Sequence, residues 1–125
     1  MFKVSILDGP PFATGVPHYG HLIVGVIKDF LNRYYNGENR IVIGYDTHGV
    51  PIERKVCEVL GIENVLDISL EEFNKECHNM VERCSYIWRE FYEKLGRNID
   101  KNREYKTSDL EYMLKVWEIF GHLYE

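Results

Sequence analysis

The sequence predicts an α/β fold with parallel strands, helices between them and a helix-rich C-terminal part. Two short apolar runs, residues 3–7 and 40–45, have the composition of strands that are covered on both faces. A helical pattern lies between them, so the three elements should form a βαβ unit with a right-handed crossover. Two longer helical patterns follow residue 69, which indicates that the second half of the chain is mainly helix.

The first predicted strand ends in a rigid loop that leads directly into a helix. Residues 8–21 read DGPPFATGVPHYGH, and the adjacent Pro10 and Pro11 have no N–H with which to continue a sheet ladder. The helix should begin near residues 18–20, and its apolar side chains recur at helical spacing. These are Leu22, Ile23, Val26, Ile27, Phe30 and Tyr34. The free N–H groups and positive dipole end of this helix, beside His18 and His21, suit a phosphate group.

Residue types alone leave other interpretations of this loop open. A proline-rich turn that only caps the helix and carries surface histidines would have the same composition. The His-x-x-His pair could also ligate a metal ion. Because no cysteine or acidic residue stands at a standard zinc spacing, no metal site is predicted.

The second predicted strand, residues 40–45, ends at Asp46. In an open parallel sheet, ligands bind outside the carboxyl ends of the strands. The loop after the first strand and Asp46 are therefore expected in one crevice. A carboxylate in that position suits a substrate ammonium group, although a helix N-cap or a turn residue would also fit Asp46.

Local signals set the limits of the next two helices. Residues 50–60 form a helix with Pro51 in its first turn and Gly61 at its end. Ser69 and Glu72 have capping-box spacing, and the helix that they start should reach about residue 95. Its apolar stripe consists of Leu70, Phe73, Cys77, Val81, Cys84, Trp88, Phe91 and Leu95. Core packing is the favoured interpretation of this stripe, and a partner helix is the alternative.

The last helix repeats the same kind of start signal. Ser108 and Glu111 have capping-box spacing, and a second apolar stripe follows. It consists of Leu110, Met113, Leu114, Trp117, Phe120 and Tyr124. The helical pattern continues to the last residue without a C-cap signal, so we expect residues 1–125 to be a single partial domain of a longer protein.

Composition narrows the class of protein. A chain of 125 residues with 45% hydrophobic residues and a net charge of −5 can form one domain, but it lacks the basic balance of a nucleic-acid-binding module. It contains neither a membrane-length apolar run nor a secretory signal, which favours the cytoplasm. Cys57, Cys77 and Cys84 lack CxxC spacing and are expected to be reduced, mostly buried thiols.

Two long motifs in the same order resemble class I aminoacyl-tRNA synthetases. Residues 10–21, PPFATGVPHYGH, resemble the first signature of that family, written HIGH and here reading HYGH. Residues 44–53, GYDTHGVPIE, resemble the segment after the second strand of isoleucyl-tRNA synthetases, and the PPFATG form looks most like the eukaryotic-type enzymes. Weaker similarity continues to Trp117, so the resemblance covers essentially the whole chain.

The resemblance implies a fold, an activity and residue roles. The fold would be the N-terminal half of a Rossmann-like nucleotide-binding domain. The intact enzyme would activate isoleucine with ATP and Mg²⁺, release pyrophosphate and transfer isoleucine to its tRNA. His18 and His21 would be the catalytic contacts to the ATP phosphates, and Gly20 would let adenine approach the helix start. The other implied positions are Phe12, Ala13 and Thr14 for ATP, Gly9, Pro10 and Asp46 for the amino acid, and Gly44, Tyr45 and His48 as possible neighbours of the site.

Parts of the family pattern do not occur in these residues. The second signature, KMSKS, has no equivalent; residues 106–108 read KTS and stand in the wrong half. The editing insertion, the second half of the nucleotide-binding sheet and the anticodon-binding domain are not represented either, so tRNA contacts are expected mainly elsewhere. We therefore expect little isoleucine-dependent ATP–pyrophosphate exchange from these residues alone. The alternative function is an ATP-binding or regulatory module that no longer aminoacylates.

Overall fold

The computed structural model describes residues 4–37 and 40–124. Its helices are α1 (Tyr19–Asn36), α2 (Val50–Leu60), α3 (Leu70–Lys94) and α4 (Leu110–Tyr124), and a short 3-10 helix covers Val65–Asp67. Strands β1 (Gly44–Tyr45) and β2 (Tyr105–Lys106) pair in parallel. Helices combined with parallel pairing agree with the predicted α/β class.

The parallel pairing differs from the predicted sheet. Gly44 pairs with Tyr105 and Tyr45 with Lys106, and isolated parallel bridges join Phe12 to Asp46 and Ile41 to Ile99. Of the predicted strand at residues 40–45, only the last two residues form a regular strand. The partner at Tyr105–Lys106 was not predicted, because a two-residue strand has no periodicity to detect.

The predicted strand at residues 3–7 is wrong in its described part. Residues 4–7 are not in a strand, and Leu7 is 85% exposed; Lys3 lies outside the described residues. Parallel pairing with the 40–46 segment occurs instead at residues 11–13. There the Asp46 N–H donates to the Pro11 carbonyl at 2.8 Å, and the Ala13 N–H donates to the Asp46 carbonyl at 2.9 Å. Apolar composition favours strand dihedrals, but pairing depends on where the chain meets a partner.

Helices α2 and α3 begin and end where their cap signals predict. Pro51 is in the first turn of α2, and Gly61 ends it in the left-handed conformation with φ of 68°. The Ser69 hydroxyl accepts a hydrogen bond from the Glu72 N–H at 3.2 Å and caps α3. Most of the predicted α3 stripe is buried or half-buried, which confirms core packing, but Leu70 is 71% exposed because it is the first residue of the helix.

The core lies where α2 and α3 pack against β1. Its members are buried apolar side chains from these elements and from the segments beside them: Ala13, Ile43, Tyr45, Ile52, Val56, Phe73, Met80, Val81, Cys84, Trp88, Tyr92 and Ile99. Cys84 is buried, Cys57 and Cys77 are half-buried, and all three thiols are free. Within the described residues, no helix is both long and apolar enough to cross a membrane.

Helix α1 packs through its polar face. Lys28 forms an ion pair with Asp8 at 2.7 Å, Asp29 accepts a hydrogen bond from the Asn98 N–H at 2.7 Å, and Asn32 is buried. The predicted apolar positions of α1 are exposed except Leu22, which is half-buried. The helical spacing was correctly interpreted, but it does not decide which face meets the rest of the chain.

Helix α4 also presents its apolar stripe to solvent. Trp117 is 70% exposed and Leu110 is 68% exposed, and no residue of α4 is buried. Contrary to the prediction, Ser108 is not the N-cap residue, because α4 begins at Leu110 and Asp109 stands directly before it; the Ser108 hydroxyl accepts a hydrogen bond from Thr47 at 2.9 Å. The helix starts instead with the Met113 N–H donating to the Asp109 carbonyl at 3.0 Å.

Gly44 is expected to be intolerant of a side chain. A Cβ at this position would overlap the ring of Tyr105, which stacks on Tyr112 with ring centres 5.6 Å apart. Gly44→Ala should lower the free energy of unfolding by about 1–3 kcal/mol, because overpacking forces the ring or the strand to move. Urea denaturation followed by far-UV circular dichroism measures this change.

Gly121→Ala is the matched control for this substitution. A Cβ at Gly121 meets nothing within 4 Å, so alanine in this exposed helix should leave stability unchanged or raise it by up to ~1 kcal/mol. In a Tyr105→Ala background, Gly44→Ala should lose most of its effect. An undiminished effect in that background would show that the ring is not the cause.

Candidate functional site

The start of α1 is held by its own two histidines. His18 is the N-cap residue, with extended backbone, and its Nδ1 accepts a hydrogen bond from the Gly20 N–H at 3.1 Å. His21 Nδ1 accepts a hydrogen bond from the His18 N–H, also at 3.1 Å. The two ring centres are 3.8 Å apart. The sequence HYGH thus places both imidazoles side by side at the N-terminus of a helix of 18 residues.

These hydrogen bonds decide which ring nitrogen carries the proton. A nitrogen that accepts a hydrogen bond is unprotonated, so a neutral His18 and a neutral His21 both carry the proton on Nε2. Neither Nε2 bonds to another residue in the part of the chain that the structure describes. Each neutral ring therefore has one N–H donor free for a ligand, beside the positive end of the helix dipole.

Gly20 fits against the His18 ring because it has no side chain. A Cβ there would lie 2.9 Å from Cε1 and 3.1 Å from Nδ1 of His18. Any other residue would press on the His18 ring that accepts the Gly20 N–H. The glycine between the histidines thus serves the cap itself, in addition to the close ligand approach that the sequence predicts.

Trp88 of α3 forms the wall behind His21. Its ring meets the His21 ring edge to face, with centres 4.6 Å apart and planes at 71°. Its indole N–H donates to the Gly15 carbonyl at 3.0 Å, and the side chain is buried. Burial, together with a smaller contribution from the charge of His18, lowers the pKa of His21 below its ordinary value, which favours the neutral ring at pH 7.

A cavity of about 340 Å³ opens in front of the two histidines. It is lined by residues of the loop, the helix start and α3: Pro10, Pro11, Phe12, Thr14, Gly15, Val16, His18, His21 and Trp88. Larger polar clefts exist elsewhere, one of them about 570 Å³ beside Arg89 and Lys106. In that cleft Arg89 pairs with Glu104 at 2.6 Å and Lys106 pairs with Glu82, so its cations are already neutralised.

Asp46 lies next to this cavity through its backbone. The bonds between residues 11–13 and Asp46 bring the two predicted motifs together, as the topology predicted, although the loop rather than a first strand does so. The side chain of Asp46 lies towards residue 107, where the Thr107 hydroxyl is 3.5 Å from Asp46 Oδ1 and 3.5 Å from His48 Nδ1. The carboxylate is half-buried and is not part of the cavity wall.

A buried hydroxyl network fixes the segment around Asp46. The Thr47 N–H donates to the Thr107 hydroxyl at 2.9 Å, and the Ser108 N–H donates to the Thr47 hydroxyl at 3.0 Å. Thr47 and Thr107 are both buried. This network explains why the residues after β2 matter for the site even though they are 60 positions away in the chain.

The remaining predicted site residues divide between wall, surface and core. Pro10, Phe12 and Thr14 line the cavity, whereas Gly9 is exposed and Ala13 is fully buried, with its N–H bound to Asp46. Tyr45 is a fully buried core residue, and burial followed by the charge of Glu104 raises its pKa. Gly44 is covered by the Tyr105 ring, and His48 is exposed beside Thr107.

Trp88 is the site residue that sequence reasoning missed. Its place in the α3 stripe indicated core packing, which is correct but incomplete. A buried tryptophan needs an acceptor for its indole N–H, and a strand-poor, proline-rich loop offers free carbonyls. That requirement is the signal that could have linked α3 to the loop.

Comparison with known proteins gives consistent matches. A family model described as tRNA synthetases class I (I, L, M and V) matches residues 2–125. The chain is 42% identical over 129 residues to the mouse protein named isoleucine–tRNA ligase, cytoplasmic, covering 98% of this chain and 10% of the mouse protein. It is 40% identical to the protein of that name from Arabidopsis thaliana, and the match covers 94% of this chain and 10% of the plant protein. It is 42% identical to an isoleucine–tRNA ligase of Chlamydia muridarum, and the match covers 97% of this chain and 12% of the bacterial protein. The chain thus spans about a tenth of the length of the curated relatives that it matches.

Proposed function

The chain belongs to the class I tRNA synthetases (I, L, M and V), and we propose that it forms the ATP-binding part of an isoleucine-activation site. In the proposed reaction, the isoleucine carboxylate attacks the α-phosphorus of ATP. An acyl–phosphate bond forms, the bond to the β-phosphate oxygen breaks, and pyrophosphate leaves. In the protein as a whole, a tRNA hydroxyl then attacks the isoleucyl carbonyl, the acyl–phosphate bond breaks, and AMP leaves.

The arrangement of His18 and His21 supports the phosphate part of this proposal most directly. Their Nε2–H groups are free donors at a helix N-terminus, and such donors stabilise charge on phosphate oxygens without having to reorganise. Phe12 and Thr14 line the same cavity and are proposed to contact the nucleotide. Ala13 is proposed to hold this ATP-binding loop in place through its bond to Asp46, and Gly20, which has no side chain, is proposed to let the adenine approach the helix start. Mg²⁺ is proposed to accompany the ATP phosphates rather than to occupy a site of this chain.

The amino-acid part of the site is proposed around Gly9, Pro10 and Asp46. Asp46 is proposed to hold the substrate ammonium through the carboxylate oxygen that Thr107 does not approach. Gly44, Tyr45 and His48 support this segment from the core and from the Thr107 side.

The mouse relative and the Arabidopsis relative both carry the word cytoplasmic in their names, and we propose that this protein also acts in the cytoplasm. We propose that other parts of the protein make most of the contacts to tRNA and carry out editing and anticodon recognition.

Removal of either histidine should weaken ATP binding. A hydrogen bond to a charged group contributes about 1.5–3 kcal/mol, so His18→Ala and His21→Ala should each raise the Kd for MgATP about tenfold or more. Isothermal titration calorimetry of the purified chain measures this directly. His78→Ala is the matched control, because the His78 side chain is 71% exposed on α3, where its Nε2 lies 3.8 Å from Glu82, and it is not part of the cavity wall.

Two results would contradict the proposal. One is the absence of saturable MgATP binding by the unmodified chain. The other is an equal loss of affinity in His78→Ala, which would show that the site at α1 is not the one that binds. If MgATP binds but isoleucine does not, the alternative of an ATP-binding module that does not aminoacylate is favoured.

A further inference from the structure

Trp88 connects the proposed ATP site to the core of the molecule. It lies on α3, between the edge-to-face contact with His21 and packing against two aromatic neighbours, Phe91 at 6.0 Å and Tyr92 at 5.6 Å between ring centres. The side chain is 3% exposed. Trp88 therefore contacts both His21, a histidine of the proposed phosphate site, and the aromatic side chains of the core.

We propose that Trp88 is a positioning residue that holds the His21 ring and the Gly15 carbonyl in the geometry needed to bind ATP. This inference rests on the proposed function for the identity of the ligand. The geometry of the three residues does not depend on it.

The two contacts of Trp88 act on different parts of the site. The edge-to-face contact limits rotation of the His21 ring, so that Nδ1 stays on the His18 N–H and Nε2–H remains free. The indole N–H bond of 3.0 Å fixes the Gly15 carbonyl, within the loop whose Phe12 and Thr14 line the cavity. Through these two contacts, one side chain of α3 holds both the loop and the helix start.

The environment of His21 supports the same inference. Burial, and to a smaller degree His18, lower the pKa of His21, and the Trp88 ring covers one side of the His21 ring. Protonation of His21 at Nδ1 would break the hydrogen bond from the His18 N–H. Since burial and the charge of His18 depress the pKa, the stability that depends on a neutral His21 ring is present above pH ~6.5, the ordinary pKa of histidine, and is lost as the pH falls through the folded pKa.

Two substitutions separate the contacts. Trp88→Phe keeps an aromatic ring against His21 but removes the N–H donor to Gly15, whereas Trp88→Leu removes both. In Trp88→Leu, the His21 pKa should rise towards its ordinary value and the Kd for MgATP should rise about tenfold. In Trp88→Phe, the His21 pKa should change little and the Kd should rise about threefold, because only one neutral hydrogen bond is lost.

The measurements are the NMR titration of the His21 Cε1 proton and calorimetric titration of MgATP, both on the whole chain. Phe73→Leu is the control for loss of core packing, because Phe73 is equally buried but lies about 22 Å from Trp88, towards the N-terminus of α3. It should lower stability without moving either the His21 pKa or the MgATP affinity of the folded chain.

The inference is overturned if Trp88→Leu leaves both quantities at their unmodified values, or if Phe73→Leu reproduces both changes. Should Trp88→Leu fail to fold, an unchanged MgATP affinity in Trp88→Phe overturns it instead. If the unmodified chain does not bind MgATP, the proposed function fails. The positioning inference is then decided by the His21 titration, in which an unshifted pKa in Trp88→Leu rejects it.

Discussion

Replacing Arg97 with leucine is expected to lower the free energy of unfolding by about 2–4 kcal/mol, because it leaves a shielded carboxylate with one partner fewer. The Arg97 side chain is 2% exposed, and its Nη2 lies 2.8 Å from Asp8 Oδ2. Its guanidinium also lies 4.8 Å from the centre of the Tyr92 ring. Lys28 still pairs with Asp8 in the variant, which keeps the loss below that of a fully orphaned buried charge. Urea denaturation at pH 7 measures the difference.

The pH dependence gives this prediction a second, independent measurement. Burial acts to raise the pKa of Asp8, but the hydrogen bond from Lys28 and the charge and hydrogen bond of Arg97 outweigh it, so the pKa lies below its ordinary value. The ion pair therefore stabilises the fold above pH ~4 and is lost as the pH falls through the folded pKa. The difference between Arg97→Leu and the unmodified chain should be largest near pH 7 and should shrink towards pH 3.

Lys115→Leu is the matched control for a cation in an ion pair. Lys115 Nζ lies 2.8 Å from Glu118 Oε2, and the two side chains are 68% and 54% exposed. Exposed ion pairs contribute about 0–1 kcal/mol to stability. The control should therefore be nearly neutral at every pH. A similar loss in both variants, or a loss in Arg97→Leu that does not vary with pH, would show that the Asp8 pair is not the cause.

Local signals in the sequence were sufficient for the helices. Pro51, Gly61 and Ser69 define helix ends through bonds within a few residues of themselves, so the limits of α2 and the start of α3 follow from the sequence. The start of α1 at residue 19 also follows, although the cap is made by His18 and His21 rather than by a serine or an aspartate. What the sequence does not contain is the partner of each helix, which is why the exposed apolar faces of α1 and α4 were not foreseen.

Pairing over long distances in the chain was the harder part. The bridge from Phe12 to Asp46 and the strand at Tyr105–Lys106 depend on backbone contacts 34 and 61 positions apart, and neither leaves a periodic pattern in the sequence. The neighbourhood of the loop and Asp46 was more predictable than the sheet, because the two sequence motifs contain the loop and Asp46 themselves. Trp88 and Thr107 were missed because each acts through contacts to a segment that is distant in the chain, Gly15 and His21 for Trp88 and Asp46–His48 for Thr107.

Asp46 is the residue on which the amino-acid part of the proposed function depends. Its backbone is fixed on one side by residues 11–13, and its segment is fixed on the other by the Thr47–Thr107–Ser108 network. Within residues 4–37 and 40–124, the carboxylate receives one long contact, 3.5 Å from the Thr107 hydroxyl. A half-buried carboxylate that is rigidly held but weakly paired has capacity left for a cationic group such as an ammonium.

Asp46→Asn is therefore expected to raise the Kd for isoleucine by about 10–100-fold, since a charge-assisted hydrogen bond contributes about 1.5–3 kcal/mol. The Kd for MgATP should change less than about twofold, because asparagine has the same shape and the histidines are untouched. Calorimetric titration of each ligand into the unmodified chain and the variant measures both values. Asp67→Asn, an exposed substitution in the 3-10 helix, should change neither. An equal loss of affinity for isoleucine and MgATP would reject the ammonium role, because a general disturbance of the 11–13 and 46 pairing would affect both ligands alike.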